Sequence, residues 1–523
     1  MFSEKIHRTI FLFGIFSFAF GIMLGSIPTS VPQFILLGNW LLEADFKNKW
    51  QRIKSNRVFW VLSSVFLIHV IGLFYTQNLV DGLADIRIKM PLLFLPLIFF
   101  TNQPLSAKEI KWVLFCFIIG CITNTAWCLI YNFMLHANDL VRNASRFMSH
   151  IRLGLYLNMA IVYCAYFIYH NSSTLKKTIW FLLTIYFVFV LYALGLASGI
   201  VNFFILSFLG TCFVIYNQKP TVKIAATLFI ICSGFFAANY ILTIAKKQLK
   251  VNNVSTNSPL RTSLSGRGYL HFDSLNYKEN GNYILINIQL EELKHEWQRK
   301  FPTDSFSYPP RAHNINRYEV LIRYLASKGL TKDSVGISKL SEKDVAYIQK
   351  GITNFDYVNW NYLHKRTYEL VCEYDDFVNH RNINGQSLTM RIYFWKAALH
   401  LIKQNPIFGL GTGDVQTELN KAYVQTRSPL KEEWYKRPHN QFLTITVALG
   451  VTGLLVFLVG IFYPIVSLKK YLPILCWPFL VLALVSFILE DTLETQAGLS
   501  FYAFFYTWFI SIAWQKSNDV IGK

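Results

Sequence analysis

The chain has 523 residues, of which 53% are hydrophobic, 16% aromatic and only 15% charged. Apolar runs of about 16 to 25 residues recur from end to end, which excludes a soluble enzyme and describes a polytopic membrane protein. The formal charge of +20 does not argue for nucleic acid, because about half of the basic residues fall in short loops that anchor spans.

The first run, "TIFLFGIFSFAFGIMLG" from Thr9, follows Lys5 and Arg8 as a signal peptide would. No small-x-small cleavage site closes it and further spans follow at once, so it reads as a retained first helix. Further apolar segments lie near 31–42, 58–76, 89–101, 112–134, 151–169, 179–196, 198–216, 223–244, 440–466, 471–489 and 498–514, giving about twelve spans with the first. Those at 31–42 and 89–101 are short for a hydrocarbon core of roughly 30 Å and read as tilted, broken or re-entrant.

The loop "EADFKNKWQRIKSNR" (43–57) is strongly basic and therefore cytoplasmic. Twelve spans and a cytoplasmic N-terminus bring "SAKEIK", "STLKKT", "NQKPTVK", "SLKK" and the C-terminal "WQKSNDVIGK" to the same side. Residues 1–244 then form an N-terminal transmembrane bundle of about nine spans, and 439–523 a C-terminal bundle of three. Between them, 245–438 is rich in Tyr, Asn, Lys and Glu and too long for a plain connector, so it reads as a folded, mainly helical outer domain. The loops 136–150 and 490–496 share its side. Seven cysteines (116, 121, 128, 164, 212, 232 and 476) lie in apolar spans and Cys372 alone in the outer region, so no disulfide framework is implied.

Within "RIYFWKAALHLIKQNPIFGLGTGDV" (391–415), Ile392, Trp395, Leu399 and Ile402 share one helical face, and Tyr393, Lys396, His400 and Lys403 another. Such a helix can lie along a membrane surface with Trp395 in the interface and Arg391 free to point toward lipid headgroups. Asn405-Pro406 stops it, and Gly409, Gly411 and Gly413 permit a tight turn. "GLGTGD" has neither the preceding strand of a dinucleotide fold nor the Gly-Lys-Ser/Thr of a phosphate loop, so no nucleotide site is expected.

These residues carry a resemblance. Arg391, Trp395, Asn405-Pro406, Gly409 and Gly411, followed by "RPHNQFLTITVALGVTGLL" from Arg437, resemble the signature of the O-antigen ligase and O-antigen polymerase superfamily of Gram-negative bacteria. The closing "LEDTLETQAGLSFYAFFYTWF" from Leu489 is similar to that family's C-terminal spans. The resemblance implies a GT-C-like, all-α bundle in the inner membrane with a large periplasmic loop. It also implies a donor glycan carried on undecaprenyl pyrophosphate. Ligases hand this glycan to a lipid A core sugar, polymerases join lipid-linked repeats, and protein O-oligosaccharyltransferases share the C-terminal motif.

An acceptor hydroxyl attacking an anomeric carbon needs a base, and a departing lipid pyrophosphate needs cations. His439, at the junction of the outer region and a span, is the candidate base, and Arg391, whose planar fork matches phosphate, the candidate counter-charge. Arg437, Asn440, Trp395, Glu490 and Glu494 are candidate substrate contacts. Relatives carry a Ser-Arg pair at the outer end of a mid-chain span, where this chain has Ser198-Gly199. Arg152 in "SHIRLGLYL", with Arg146 nearby, is the alternative source of that charge, against simple snorkelling at the interface.

No cofactor, metal or nucleic acid is expected. The carboxylates Asp375 and Asp376 in "EYDDF" read as solvated, and His271, His295, His313, His364, His380, His400 and His439 show no zinc spacing. Membrane lipids are the remaining partner. A transporter of lipid-linked sugars is the reading from another class. Paired broken helices or midplane charges in repeated halves would favour it, and the spans show neither clearly.

Overall fold

The computed structural model describes residues 3–135, 147–216, 218–252, 257–272, 277–302 and 317–521. They form two compact units, residues 1–213 with 391–523, and residues 214–390.

The first unit is all-helical. Its N-terminal part comprises α1 (Glu4–Gly21), α2 (Ser26–Leu42), α3 (Phe46–Ile53), α4 (Arg57–Gly72), α5 (Leu79–Lys89), α6 (Pro91–Thr101), α7 (Ala107–Leu135), α8 (His150–His170), α9 (Thr174–Ala193) and α10 (Ala197–Tyr216). The second unit holds α11 (Pro220–Leu249), a two-residue antiparallel pair β1 (Lys278–Glu279) and β2 (Asn282–Tyr283), α12 (Leu290–Lys300), α13 (Arg317–Ser327), α14 (Ser334–Ser338), α15 (Glu342–Gln349) and α16 (Tyr362–Val378). The first unit resumes with α17 (Thr389–Gln404), α18 (Val415–Gln425), α19 (Gln441–Leu468), α20 (Cys476–Leu489) and α21 (Gln496–Ile521).

Each of the twelve apolar segments lies on a helix, but among the described residues only eight helices are long and apolar enough to cross a membrane. Those eight include α4, α7 to α11, α19 and α21. The other four differ for physical reasons. Helix α1 carries Glu4, Lys5 and Arg8, and α2, α6 and α20 have 17, 11 and 14 residues. At 1.5 Å per residue, α6 spans only about half of the hydrocarbon core. It continues α5 across a break at Met90-Pro91, since proline removes a helix donor and its ring crowds the preceding turn.

Helix α21 is the axis of the first unit. Phe501, Phe504, Phe505, Trp508 and Phe509 are buried along it, against α6 and α20, and Phe18 of α1 meets Phe504. The outer faces of α9 and α10 instead expose Phe181, Ile185, Phe204 and Phe213, as lipid-facing surfaces do. Arg8, Lys49 and Arg52 lie at one end, where Arg8 bonds Glu109 (2.7 Å), Lys49 donates to the Trp40 carbonyl and Arg52 donates to the Thr101 carbonyl at the end of α6. The start of α6 lies at the other end, beside Glu494, which Lys89 reaches at 3.0 Å.

The second unit has its own core of Leu293, Trp297, Val320, Leu321, Tyr324, Leu325, Ile337 and Ile348. Helix α11 packs on α16, and the Tyr368 hydroxyl donates to Gln248 Oε1 at 2.6 Å.

The glycines after Pro406 have a specific structural task. Helix α19 is two helical segments meeting at Gly450, whose φ of 64° takes it out of the helix. In an apolar setting every backbone group freed by such a break needs a partner. The 406–412 segment supplies them. Leu410 N–H donates to the Val447 carbonyl (3.0 Å), Gly411 N–H to Ala448 (2.8 Å), and Val451 N–H to the Pro406 carbonyl (2.8 Å). Thr412 Oγ1 then donates to the His69 carbonyl of α4 (2.6 Å). A Cβ at Gly450 would lie 2.1 Å from the Ile407 carbonyl oxygen. Gly450→Ala therefore carries both a backbone penalty of about 1–3 kcal/mol, because its φ and ψ lie in a region open essentially to glycine alone, and a backbone clash. It should lower the midpoint of thermal unfolding in detergent, whereas Gly210→Ala, where a Cβ meets nothing within 4 Å, should leave it unchanged.

Candidate functional site

Helix α17 has a buried face of Phe394, Ala397, Ala398 and Leu401, while Ile392, Trp395 and Leu399 are exposed. Trp395 is thus not only an interfacial side chain. Its indole N–H donates to the Pro438 carbonyl at 3.0 Å and ties α17 to the segment leading into α19.

That segment, 436–440, is held at almost every residue. The Lys436 carbonyl accepts from the Tyr423 hydroxyl of α18. The N–H groups of His439 and Asn440 donate to the two oxygens of Asp491, at 2.9 and 3.1 Å. Asn440 caps α19 by accepting from Leu443 N–H, and its amide donates to the Ile488 carbonyl at 3.1 Å. These bonds hold His439 at φ 48°, a left-handed conformation that a residue with a Cβ adopts only when its surroundings enforce it. The turn directs its ring against Phe394, with centroids 5.7 Å apart.

The acidic turn between α20 and α21 then joins the candidates. Glu490 Oε2 is 3.0 Å from His439 Nδ1, and its Oε1 accepts from Arg391 Nη2 at 3.1 Å. A carboxylate only accepts, so a neutral His439 carries its proton on Nδ1 and keeps the lone pair of Nε2 outward. The histidine side chain is 33% exposed, enough for a substrate hydroxyl to reach it. Arg391, expected to point freely toward headgroups, is paired instead because Glu490 is within its reach.

Glu494 accepts from Arg437 Nη1, from Gln441 Nε2 at 2.9 Å and from Lys89 Nζ at 3.0 Å. Burial favours its neutral form, but the Lys89 and Arg437 charges overcome this and hold its carboxyl well below the ordinary carboxylate range. At Asp491 burial wins and raises the carboxyl, although the Thr444 hydroxyl and the His439 charge pull the other way.

One cluster therefore gathers Arg391, Trp395, Arg437, His439, Asn440, Glu490 and Glu494. Among the described residues, no hydrogen bond or ion pair joins Arg152 to it. It lies in the first turn of α8, where Ser149 caps its N–H and Gly154 packs so closely on Gly199 that a Cβ added at either would lie 2.8 Å from the other's Cα. Arg146 lies outside the described residues. The Ser198-Gly199 pair thus falls at a close crossing of α8 and α10, bridged by Asn158, which donates to the carbonyls of Gly154 (2.7 Å) and Gly199 (2.8 Å). Asp375 and Asp376 are not simply solvated. Arg381 bonds both, at 2.7 and 2.9 Å, which already balances much of the charge that a cation would need. His313 is outside the described residues.

Sequence reasoning passed over Lys89, Asp85 and Asp414. Lys89 and Asp85 form a buried (i, i+4) pair, and "DIRIKMPLLF", a charge pair running into an apolar stretch, was the available signal. Asp414 accepts from Thr76 Oγ1, Gln77 N–H and Asn78 N–H, in the turn before α5; nothing local announces a partner so distant in sequence.

Comparison with known families matches residues 351–458 to the family described as O-Antigen ligase. No curated protein matches the chain. Residues 351–458, about a fifth of a chain with several candidate membrane-spanning helices, are thus similar to that family.

Asp491→Ala would leave the His439 and Asn440 N–H groups without their acceptor. It should cost about 2 kcal/mol or more and release the left-handed turn. Asp491→Asn, which keeps one acceptor, should lose less. Thermal unfolding in detergent, read beside transfer activity, checks that order.

Proposed function

We propose that this chain is an O-antigen ligase-like transferase that moves a glycan from undecaprenyl pyrophosphate to a hydroxyl of a lipid A core, or a similar acceptor, without a metal. The observation that carries the reading is the Glu490 carboxylate shared by Arg391 and His439. It gives a base and a phosphate-sized cation a common anchor.

The roles follow from that anchor. Glu490 holds Nδ1–H, so Nε2 of His439 takes the proton of the acceptor hydroxyl as its oxygen bonds to the anomeric carbon. The bond from that carbon to the pyrophosphate oxygen breaks in the same displacement, and the leaving group departs as undecaprenyl pyrophosphate. Arg391 and Arg437 balance the charge that develops on it. A single displacement inverts the anomeric configuration. The basic end of the first unit belongs in the cytoplasm by the positive-inside rule, so the His439 end faces the periplasm, where lipid-linked glycans of this type are used. Arg152 remains a candidate for a second phosphate contact.

Reconstituted protein supplied with a lipid-linked glycan tests the roles. His439→Ala should bind donor yet lose turnover by about 10² to 10⁴. Arg391→Lys should fail nearly as badly as Arg391→Ala, because an ammonium cannot make the two-pronged contact. The wild-type protein should keep its activity in excess chelator. Full activity in Arg391→Lys, or wild-type turnover in His439→Ala, would sink the assignment.

The acceptor is tested in cells. A deletion strain should lose all long surface chains while lipid-linked polymer accumulates. A core bearing a single repeat would instead identify a polymerase.

A further inference from the structure

Helix α5 brings a buried cation to the site that the reaction above does not use. Lys89, at the break before α6, is 1% exposed, yet its ammonium has three carboxylate oxygens in reach. These are Asp85 Oδ1 and Oδ2, each at 2.7 Å, and Glu494 Oε2 at 3.0 Å. Burying such charges costs as much as their attraction returns, so an apolar set of similar volume would hold the helices together equally well. The arrangement therefore calls for an explanation other than stability.

Glu494 supplies one. The oxygen that Lys89 contacts also accepts from Arg437 Nη1, while Oε1 accepts from Gln441 Nε2, whose own Oε1 takes Leu493 N–H at 2.7 Å. Glu494 is thus fixed on every side. Among the described residues, Arg437 makes no other hydrogen bond through its guanidinium, and its side chain is 29% exposed two residues before His439. Its other N–H groups therefore have no protein acceptor among the described residues, in a side chain that is only partly exposed.

The charges explain why Lys89 is needed. Asp85, Glu494, Lys89 and Arg437 sum to zero. Without Lys89, two carboxylates would share one arginine, drawing the guanidinium inward and leaving a net negative charge where an anion must dock. We propose that Lys89 is a positioning residue. By occupying Asp85 and anchoring Glu494, it keeps Arg437 turned outward to bind the pyrophosphate of the donor lipid. The inference rests on the pyrophosphate-donor reading above.

The test uses the full chain in nanodiscs, with undecaprenyl pyrophosphate and undecaprenyl monophosphate as probes and the dissociation constant of each as the readout. Wild type should prefer the pyrophosphate. Arg437→Gln should weaken pyrophosphate binding about tenfold, and Lys89→Gln about as much, with monophosphate binding little changed. Because Lys89 acts through Arg437, the Lys89→Gln/Arg437→Gln protein should lose no more than either single variant. Lys89→Gln/Asp85→Asn removes one charge of each sign and should recover pyrophosphate affinity to within about threefold, with monophosphate binding still unchanged. Wild-type binding by Lys89→Gln, additive losses in the first pair, or no recovery in the second would overturn the inference and leave the donor reading standing. A wild-type protein that does not prefer pyrophosphate would overturn the donor reading and the inference with it.

Discussion

Asp491 is the carboxylate on which the candidate site depends. It accepts from two successive backbone N–H groups and from Thr444 Oγ1, and so holds His439 in a left-handed turn. With an ordinary helical or extended backbone at that position, the imidazole would leave the direction of Glu490. The neighbouring residues of the same acidic turn have separate tasks. Glu490 orients Arg391 and His439, and Glu494 orients Arg437 through a buried network that reaches Lys89.

This concentration of charge has a common physical basis. A membrane bundle is held largely by packing, because lipid and core are equally apolar, so polar groups within it must find one another. The same rule governs the break in α19. Gly450 leaves the helix and the 406–412 segment takes up the freed backbone groups, which places α17 and its Arg391 next to the start of α19. The glycine-rich turn is thus a docking element, and the nucleotide-like look of "GLGTGD" comes from the close backbone approaches that only glycine permits.

For function, the notable feature is that cations and carboxylates are nearly matched at the site. Arg391 is paired with Glu490, and Arg437 shares Glu494 with Lys89. Such pairing keeps the cations in place in the absence of substrate while leaving N–H groups of Arg437 uncommitted. Asp375 and Asp376, the adjacent acids that read as solvated in sequence, are bonded to Arg381.

Much of this was legible in sequence because it is local. Hydropathy alone located the twelve segments that are helical, and the motif around Arg391 and His439 singled out two residues that meet the same carboxylate. Glu490 and Glu494 could be named as candidates, but their partners could not. His439 and Glu490 are 51 residues apart, and Lys89 and Glu494 are 405 apart. Short helices leave the span count open, since an apolar run of eleven residues such as α6 looks alike whether it crosses a membrane or continues a broken helix. By itself the sequence determined that the chain is a helical membrane protein and which residue types could carry the chemistry, because hydropathy and spacing act over a few turns of helix. Only the tertiary structure decided which carboxylate each cation meets, because that depends on helix ends distant in the chain coming together.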